Sequence, residues 1–204
     1  MVGYDDLSRA YDGGFEICKE TWNKNEYLST EEQLAMILQL LHQEIPKSIS
    51  SDLMPDMVKA FVSPLLVYPP PLIEGAKETL ERIHEEKYKI GLICNTGRTP
   101  GSTIRILLER LGMLRCFDLT AFSNELRIRK PDSRIFLHTL NQLRSLPQNS
   151  LHVGDMLELD VVGAKKVGMI SVYFNPNHTP IEQVDPDFTI DHLAFLENVL
   201  VELK

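Results

Sequence analysis

Leu151-His-Val-Gly-Asp-Met-Leu-Glu-Leu-Asp160 is the stretch that decides the fold. An apolar run ends in Gly154-Asp155, and a second acid follows at Asp160. The pattern then turns helical through Val161, Val162, Ala164 and Val167 and stops at Gly168. Such a pattern reads as a buried strand delivering the chain into a helix. A carboxylate at the tip of that strand can hold a divalent cation against a phosphate. Asp155 would serve equally as a helix N-cap, so the segment leaves both readings open.

Working outward, the same alternation of short apolar strands and helix-length crossovers fills the C-terminal part of the chain. The patterning predicts a helix over 73–86, a strand over 89–94, a helix from Pro100 to Gly112, and strands over 119–122 and 150–153. Helices follow over 132–143 and 158–167, strands over 170–174 and 188–190, and a last helix over 193–203. This rhythm indicates an α/β fold, a Rossmann-like parallel sheet covered by helices on both faces. Before the break at Tyr68-Pro-Pro-Pro71 the rhythm differs. Ser29-Thr-Glu-Glu32 is a capping box ahead of Leu34, Ile37, Leu38 and Leu41 at helical spacing, and no period-2 signal is present. The expected division is a small helical module over 1–66 and an α/β core over 67–204.

Two further segments fall at expected strand ends, where open parallel sheets bind ligands. Cys94-Asn95-Thr96-Gly97 follows a strand, and the N–H groups of such a turn, with a Thr hydroxyl, suit a phosphate oxygen. By itself it is more simply a strand-to-helix turn with Thr96 or Thr99 as cap. Lys130-Pro131-Asp132 offers a compact positive charge, with Pro131 expected to begin the following helix and Asp132 to favour its first turn. By itself it is more simply a surface lysine before a helix. Asp160 could hydrogen-bond the loop or Lys130 and so fix the geometry.

Order, spacing and strand-end placement together are far more specific. From about residue 69 to 175 the chain resembles the haloacid dehalogenase superfamily of phosphatases and related hydrolases. The resemblance is carried by Gly75-Ala76, Ile93-Cys-Asn-Thr-Gly97, Phe117-Asp118, Phe122-Ser123 and Arg129-Lys-Pro-Asp132 with Ile135-Phe136. It continues through His152-Val-Gly-Asp155 with Asp160, Gly163-Ala164 and Gly168-Met169. It implies a parallel sheet with a mobile helical cap, which residues 5–65 resemble. It also implies attack by an aspartate on phosphorus, with Mg2+ and a lysine neutralising the charge in flight. By position Lys130 is the phosphate-stabilising lysine, Asp155 the magnesium ligand and Asp160 its supporting acid. Cys94, Asn95, Thr96 and Gly97 would join Lys130 in binding phosphate. The substrate implied is a small phosphorylated metabolite.

The nucleophile of this family sits in a motif of the form apolar strand–DxDx[TV], ahead of the cap. The chain departs from the pattern here. Asp5 and Asp6 follow only Met-Val-Gly-Tyr, and Asp12-Gly13-Gly14 lies in a helical pattern. The missing strand would lie at the centre of the sheet, between the strands ending at Cys94 and Val153. Without it, buried backbone groups lose partners at roughly 1–3 kcal/mol each. Three accounts follow: a start downstream of the true one, which is favoured; a slot filled by another chain or an unexpected segment; or a catalytically silent relative that binds a ligand or partner. A dehalogenase is a weaker alternative. Cys94 stands where the family has Ser or Thr and is the weaker donor. As a nucleophilic thiol it lacks an evident His partner, because His152 lies inside a strand.

Composition agrees. The apolar fraction is 43%, the charged fraction 25% and the net charge −8, which leaves no basic footprint for nucleic acid or an anionic membrane. Three widely spaced cysteines with no CxxC pair argue against a disulfide framework or structural zinc and suit a reducing cytoplasm. No apolar run approaches the ~20 residues needed to span a bilayer. Trp22 and Phe15 read as packing residues of the helical module. His42, His84, His138, His178 and His192 show no ligand spacing. An exposed slot in the sheet would favour a homodimer or strand swapping.

Overall fold

The computed structural model of the chain describes residues 2–24, 26–42, 49–50, 52–181 and 183–203. The backbone divides into two compact units, Met1–Pro69 with Thr96–Leu107, and Pro70–Asn95 with Leu108–Lys204.

The first unit is helical. It contains α1 (Tyr4–Asn23), α2 (Thr30–Leu41), α3 (Met54–Val62) and α4 (Pro64–Val67). α1 buries Ala10, Gly14 and Cys18, one residue per turn on one stripe. Gly14 lets α2 approach closely, since a Cβ there would stand 2.5 Å from Ile37 Cγ1. α2 opens with the reciprocal cap read from the sequence: Glu32 N–H donates to Ser29 Oγ at 3.1 Å, and Ser29 N–H to Glu32 Oε2 at 2.7 Å. It buries Gln33, Leu34, Ile37 and Leu38. The 97–98 turn is held inside this unit. Gln33 Nε2 donates to the Gly97 carbonyl at 3.2 Å and Thr30 Oγ1 to the Arg98 carbonyl at 3.4 Å.

The second unit carries the strands. Along the chain run α5 (Ala76–Glu85), β1 (Gly91–Cys94), α6 (Gly101–Arg110), β2 (Leu119–Phe122), α7 (Ser123–Leu126) and α8 (Ser133–Leu143). They are followed by β3 (Leu151–Gly154), α9 (Val162–Val167), β4 (Ile170–Phe174), β5 (Phe188–Ile190) and α10 (Leu196–Glu202). α6 spans the unit boundary at Leu107. Every strand pair is parallel. The strands form two sheets, β1-β2 and β3-β4-β5. Gly91 lies opposite Leu119, Leu151 opposite Ile170, and Val172 opposite Phe188.

Among the described residues, no strand pairs with the outer edge of β1 or of β3. The division falls between the strands ending at Cys94 and Gly154, where the resemblance places a central strand. Burial follows pairing. β4, flanked on both sides, is buried over four of its five residues, whereas all four residues of β3 are only half-buried.

Two apolar clusters cover the two faces. Val172, Phe174 and Ile190 pack with Leu196 and Val199 of α10, and Leu151, Val153 and Ile83 join them. Ile93 and Ala121 pack with Ile135, Phe136 and Leu140 of α8 and with Ala164 of α9. Strand alternation therefore points Leu151 and Val153 one way and His152 the other, where its ring meets the Phe136 ring edge-on at 5.0 Å. α8 thus packs on β1-β2 while its Phe136 touches β3, and so joins the two sheets.

Two local expectations are corrected. Pro131 does not begin a helix: α8 starts at Ser133, and Asp132 is the N-cap, its Oδ1 accepting from Arg134 N–H at 2.9 Å. An acceptor placed before a helix satisfies a free N–H, which proline cannot do. The helix expected from Glu158 begins instead as a π-turn over Leu157–Val161, with the α-helical part starting at Val162.

Candidate active site

The site is built on the carboxyl ends of β1 and β3 and on the loop that follows α7, all within the second unit. Asn95 is the first residue past β1. Its amide clamps the main chain of Lys130 from both sides: Nδ2 donates to the Lys130 carbonyl at 3.0 Å, and Lys130 N–H donates to Oδ1 at 2.7 Å. The Lys130 ammonium is held at its other end, donating to Asp160 Oδ1 at 2.6 Å. An ammonium has three donors. Asp160 is the one acceptor it meets among the described residues, so two donors stay available to a ligand.

Asp160 lies at the centre of this arrangement. Its side chain is 3% exposed and that of Lys130 13%. Oδ1 also meets His152 Nε2 at 2.7 Å, and Oδ2 accepts from Met156 N–H at 3.2 Å. Burial would raise the Asp160 pKa, but the His152 hydrogen bond and the Lys130 charge outweigh it and hold the carboxyl below its ordinary 3.8. The π-turn carries Asp160 back over the end of β3, where it packs directly on Gly154; any Cβ at 154 would collide with it.

Asp155 contrasts with Asp160. It is exposed at the tip of β3, and among the described residues its carboxylate makes neither a hydrogen bond nor an ion pair. No group of three or more His, Cys, Asp or Glu side chains is assembled for a metal among the described residues. One free carboxylate at a strand end fits a magnesium ion that takes its other ligands from phosphate and water.

Cys94 closes β1, half-buried. Burial pushes its thiol pKa up, and the charges of Lys130 and Arg129 oppose the shift without reversing it. A protonated thiol is a poor nucleophile. Thr96 and Gly97 belong to the first unit, Thr96 buried and Gly97 against the Trp22 ring, where a Cβ would stand 3.2 Å from Cη2. Asp5, Asp6 and Asp12 lie along α1, not at a strand end.

Asn95 is expected in the site, and its side chain also fixes the Lys130 main chain. One site residue lies outside the sequence expectations: His152, a strand residue, reaches Asp160. Strand alternation, which turns it away from Leu151 and Val153, was the signal that could have found it.

Residues 10–174 match the family model described as haloacid dehalogenase-like hydrolase. The chain belongs to this family. Like this haloacid dehalogenase-like chain, several relatives of known name share its core. It is 38% identical over 124 residues to the ribulose-1,5-bisphosphate 5-phosphatase of Halopiger xanaduensis, covering 60% of this chain and 48% of that one. It is 34% identical over 145 residues to a pyrimidine 5'-nucleotidase of Escherichia coli, covering 70% and 62%. It is 34% identical over 130 residues to a phosphoglycolate phosphatase of Agrobacterium fabrum, covering 63% and 54%. The chain thus spans roughly half of the length of these relatives. In fold, it superposes over its whole length on a 2-haloacid dehalogenase from Pseudomonas syringae, at TM-score 0.72 and 21% identity over 83% of that chain.

Proposed function

We propose that the chain belongs to a magnesium-dependent phosphohydrolase acting on a small phosphorylated metabolite. The observation that carries this reading is the doubly held lysine. Lys130 is fixed by Asn95 at its main chain and by Asp160 at its ammonium, with two donors left over, and the exposed Asp155 carboxylate stands at the end of β3. A fixed cation with spare donors neutralises charge on a transferring phosphoryl group without reorganising during the reaction. Asp155 would hold the magnesium ion, which supplies further neutralisation of that charge when bound. Names of relatives, among them phosphatases for ribulose bisphosphate, glyceraldehyde 3-phosphate and phosphoglycolate, support a phosphate ester as substrate.

In this reading Lys130 and the turn at Cys94-Asn95 receive the phosphate, and Asp160 keeps the Lys130 ammonium aimed. The attacking aspartate is expected on a strand between β1 and β3. The aspartates of α1 lie on a helix and not at a strand end. A second reading is favoured by the open β1 and β3 edges: the chain would bind a phosphorylated ligand without turnover, or pair with a second copy along those edges. The helical unit 1–66 is taken as the cap. Among the described residues no helix is long and apolar enough to cross a membrane, and a cytoplasmic setting goes with the three free cysteines.

Release of phosphate from a generic aryl phosphate, with and without magnesium, tests the proposal on this chain and on Asp155→Ala. Magnesium-dependent turnover abolished in Asp155→Ala upholds a phosphohydrolase whose nucleophile lies within residues 1–204 or comes across a dimer. Absence of turnover in both favours the binding reading, unless a peptide carrying an apolar strand and a DxDx[TV] segment restores it.

A further inference from the structure

His152 is not part of the family resemblance as an acid, a metal ligand or a phosphate ligand, yet its ring is held by both a carboxylate and an aromatic neighbour. Its side chain is 11% exposed and its Nε2 stands 2.7 Å from Asp160 Oδ1. The same oxygen accepts from Lys130 Nζ at 2.6 Å. Asp160 is held below its ordinary pKa and is ionised at neutral pH, so it can only accept. His152 Nε2 must therefore carry the proton and donate, which fixes the imidazole tautomer.

We infer that His152 is a positioning residue for the phosphate-binding lysine, acting through Asp160. The inference rests on the proposed reading only for the identity of the ligand. Three contacts close the chain of support. The buried Phe136 ring stands edge-on to the imidazole at 5.0 Å and limits its rotation. The imidazole N–H fixes Oδ1, while the Met156 N–H fixes Oδ2 more loosely, at 3.2 Å. With Oδ1 fixed, the Lys130 ammonium has one place to sit, and its two remaining donors point in set directions. Without the imidazole donor, Asp160 can turn about its last side-chain bond on the single Met156 contact. Lys130 then follows it, although its main chain stays clamped by Asn95.

The alternative is that His152 merely fills space between β3 and α8. The two roles separate by chemistry. A filler is replaced by phenylalanine, which keeps the ring and removes the N–H. A positioning donor is replaced by glutamine, whose amide N–H reaches about as far as Nε2. The experiment measures binding of orthophosphate in the presence of Mg2+ by titration calorimetry on the 204-residue chain, on His152→Phe and on His152→Gln, with thermal midpoints as a folding control. Affinity about tenfold weaker in His152→Phe, of the size typical when a supporting contact is lost, and restored close to the original in His152→Gln, upholds the inference. Equal losses in both variants, or none in either, overturn it.

A second arm keeps this inference separate from the phosphohydrolase reading. The Lys130 ammonium is followed by nitrogen NMR at neutral pH without phosphate, in the original chain, in His152→Phe and in His152→Gln. Its signal should move or broaden in His152→Phe and keep its original position in His152→Gln. If the original chain binds no orthophosphate, the phosphohydrolase reading falls. The positioning role is then judged by this arm: a signal altered in His152→Phe and restored in His152→Gln upholds it, and one unaltered in His152→Phe, or altered equally in both, overturns it.

Discussion

The strands β4 and β3 lie side by side, yet they live in different surroundings. β4 has a hydrogen-bonded neighbour on each flank and is buried from Ser171 to Phe174, whereas β3 has one neighbour among the described residues and stays half-buried throughout. Side chains compensate differently as well. The β4 side is closed by apolar packing against α10. The open side is closed by a polar cluster, Lys130, His152 and Asp160, and by a single helix, α8, that touches both sheets. The closed flank is therefore apolar, and the open flank is where polar groups gather at the strand ends.

The largest test of that contrast falls on Phe136, which is fully buried in α8 and touches His152 of β3. It also fills the space that Gly163 leaves, since a Cβ at 163 would stand 2.5 Å from its ring. Phe136→Ala should cost about 3–5 kcal/mol, the usual range for deleting a buried ring, measured by urea unfolding. A loss below about 1 kcal/mol would mean that the two sheets hold together without α8, and the contrast between flanks would lose its structural basis.

Next in size comes the polar cluster. Removing one partner of a buried ion pair leaves the other charge uncompensated, so Asp160→Asn should cost about 3 kcal/mol near neutral pH. The sign with pH follows from the depressed Asp160 pKa. A carboxyl held below its unfolded value of 3.8 contributes stability that is full above that value and disappears as pH falls through the folded one. The gap between the original chain and Asp160→Asn should therefore narrow below about pH 4. Urea midpoints collected from pH 7 down to 3 check this; a constant gap would assign the effect of the substitution to packing on Gly154 instead.

The contrast between flanks also separates what was legible in the sequence from what was not. Strands 119–122, 170–174 and 188–190 agree with the structure to the residue, because each is a short apolar run bounded by turns. The Ser29–Glu32 cap was legible because both partners lie within one turn. The helix expected over 132–143 agrees with α8 to one residue, but Pro131 does not open it, because proline at a helix start is a common pattern and not an obligation, and Asp132 takes the cap. The Asn95–Lys130 clamp joins positions 35 residues apart, and the His152–Asp160 contact depends on a π-turn that folds the chain back over β3. No local period encodes either. Lys130, Asp155 and Asp160 stand out as types at strand ends, and the expected bond from Asp160 to Lys130 or the loop is present to both; that the Asp155 carboxylate stays free among the described residues is visible only in three dimensions.

The smallest expected effect lies on the closed flank, at Asp187, and it completes the comparison with Asp160. Both carboxyls are held below the ordinary value and both bond a neighbouring main chain or side chain. Burial works against the Asp187 shift too, and the hydrogen bonds from the Ser171 hydroxyl and N–H outweigh it, helped by Lys165. Ser171 Oγ lies 2.6 Å and Ser171 N 2.8 Å from Asp187 Oδ2, tying the start of β5 to β4. The Asp187 side chain is 40% exposed, however, so water screens its charge and can replace Lys165 when the ion pair is lost. Asp187→Asn keeps an acceptor for Ser171 and should cost less than about 1 kcal/mol, read from the same urea midpoints. Were the loss to match that of Asp160→Asn, solvent exposure would not be what separates the two acids, and the closed flank would depend on its polar contacts as heavily as the open one.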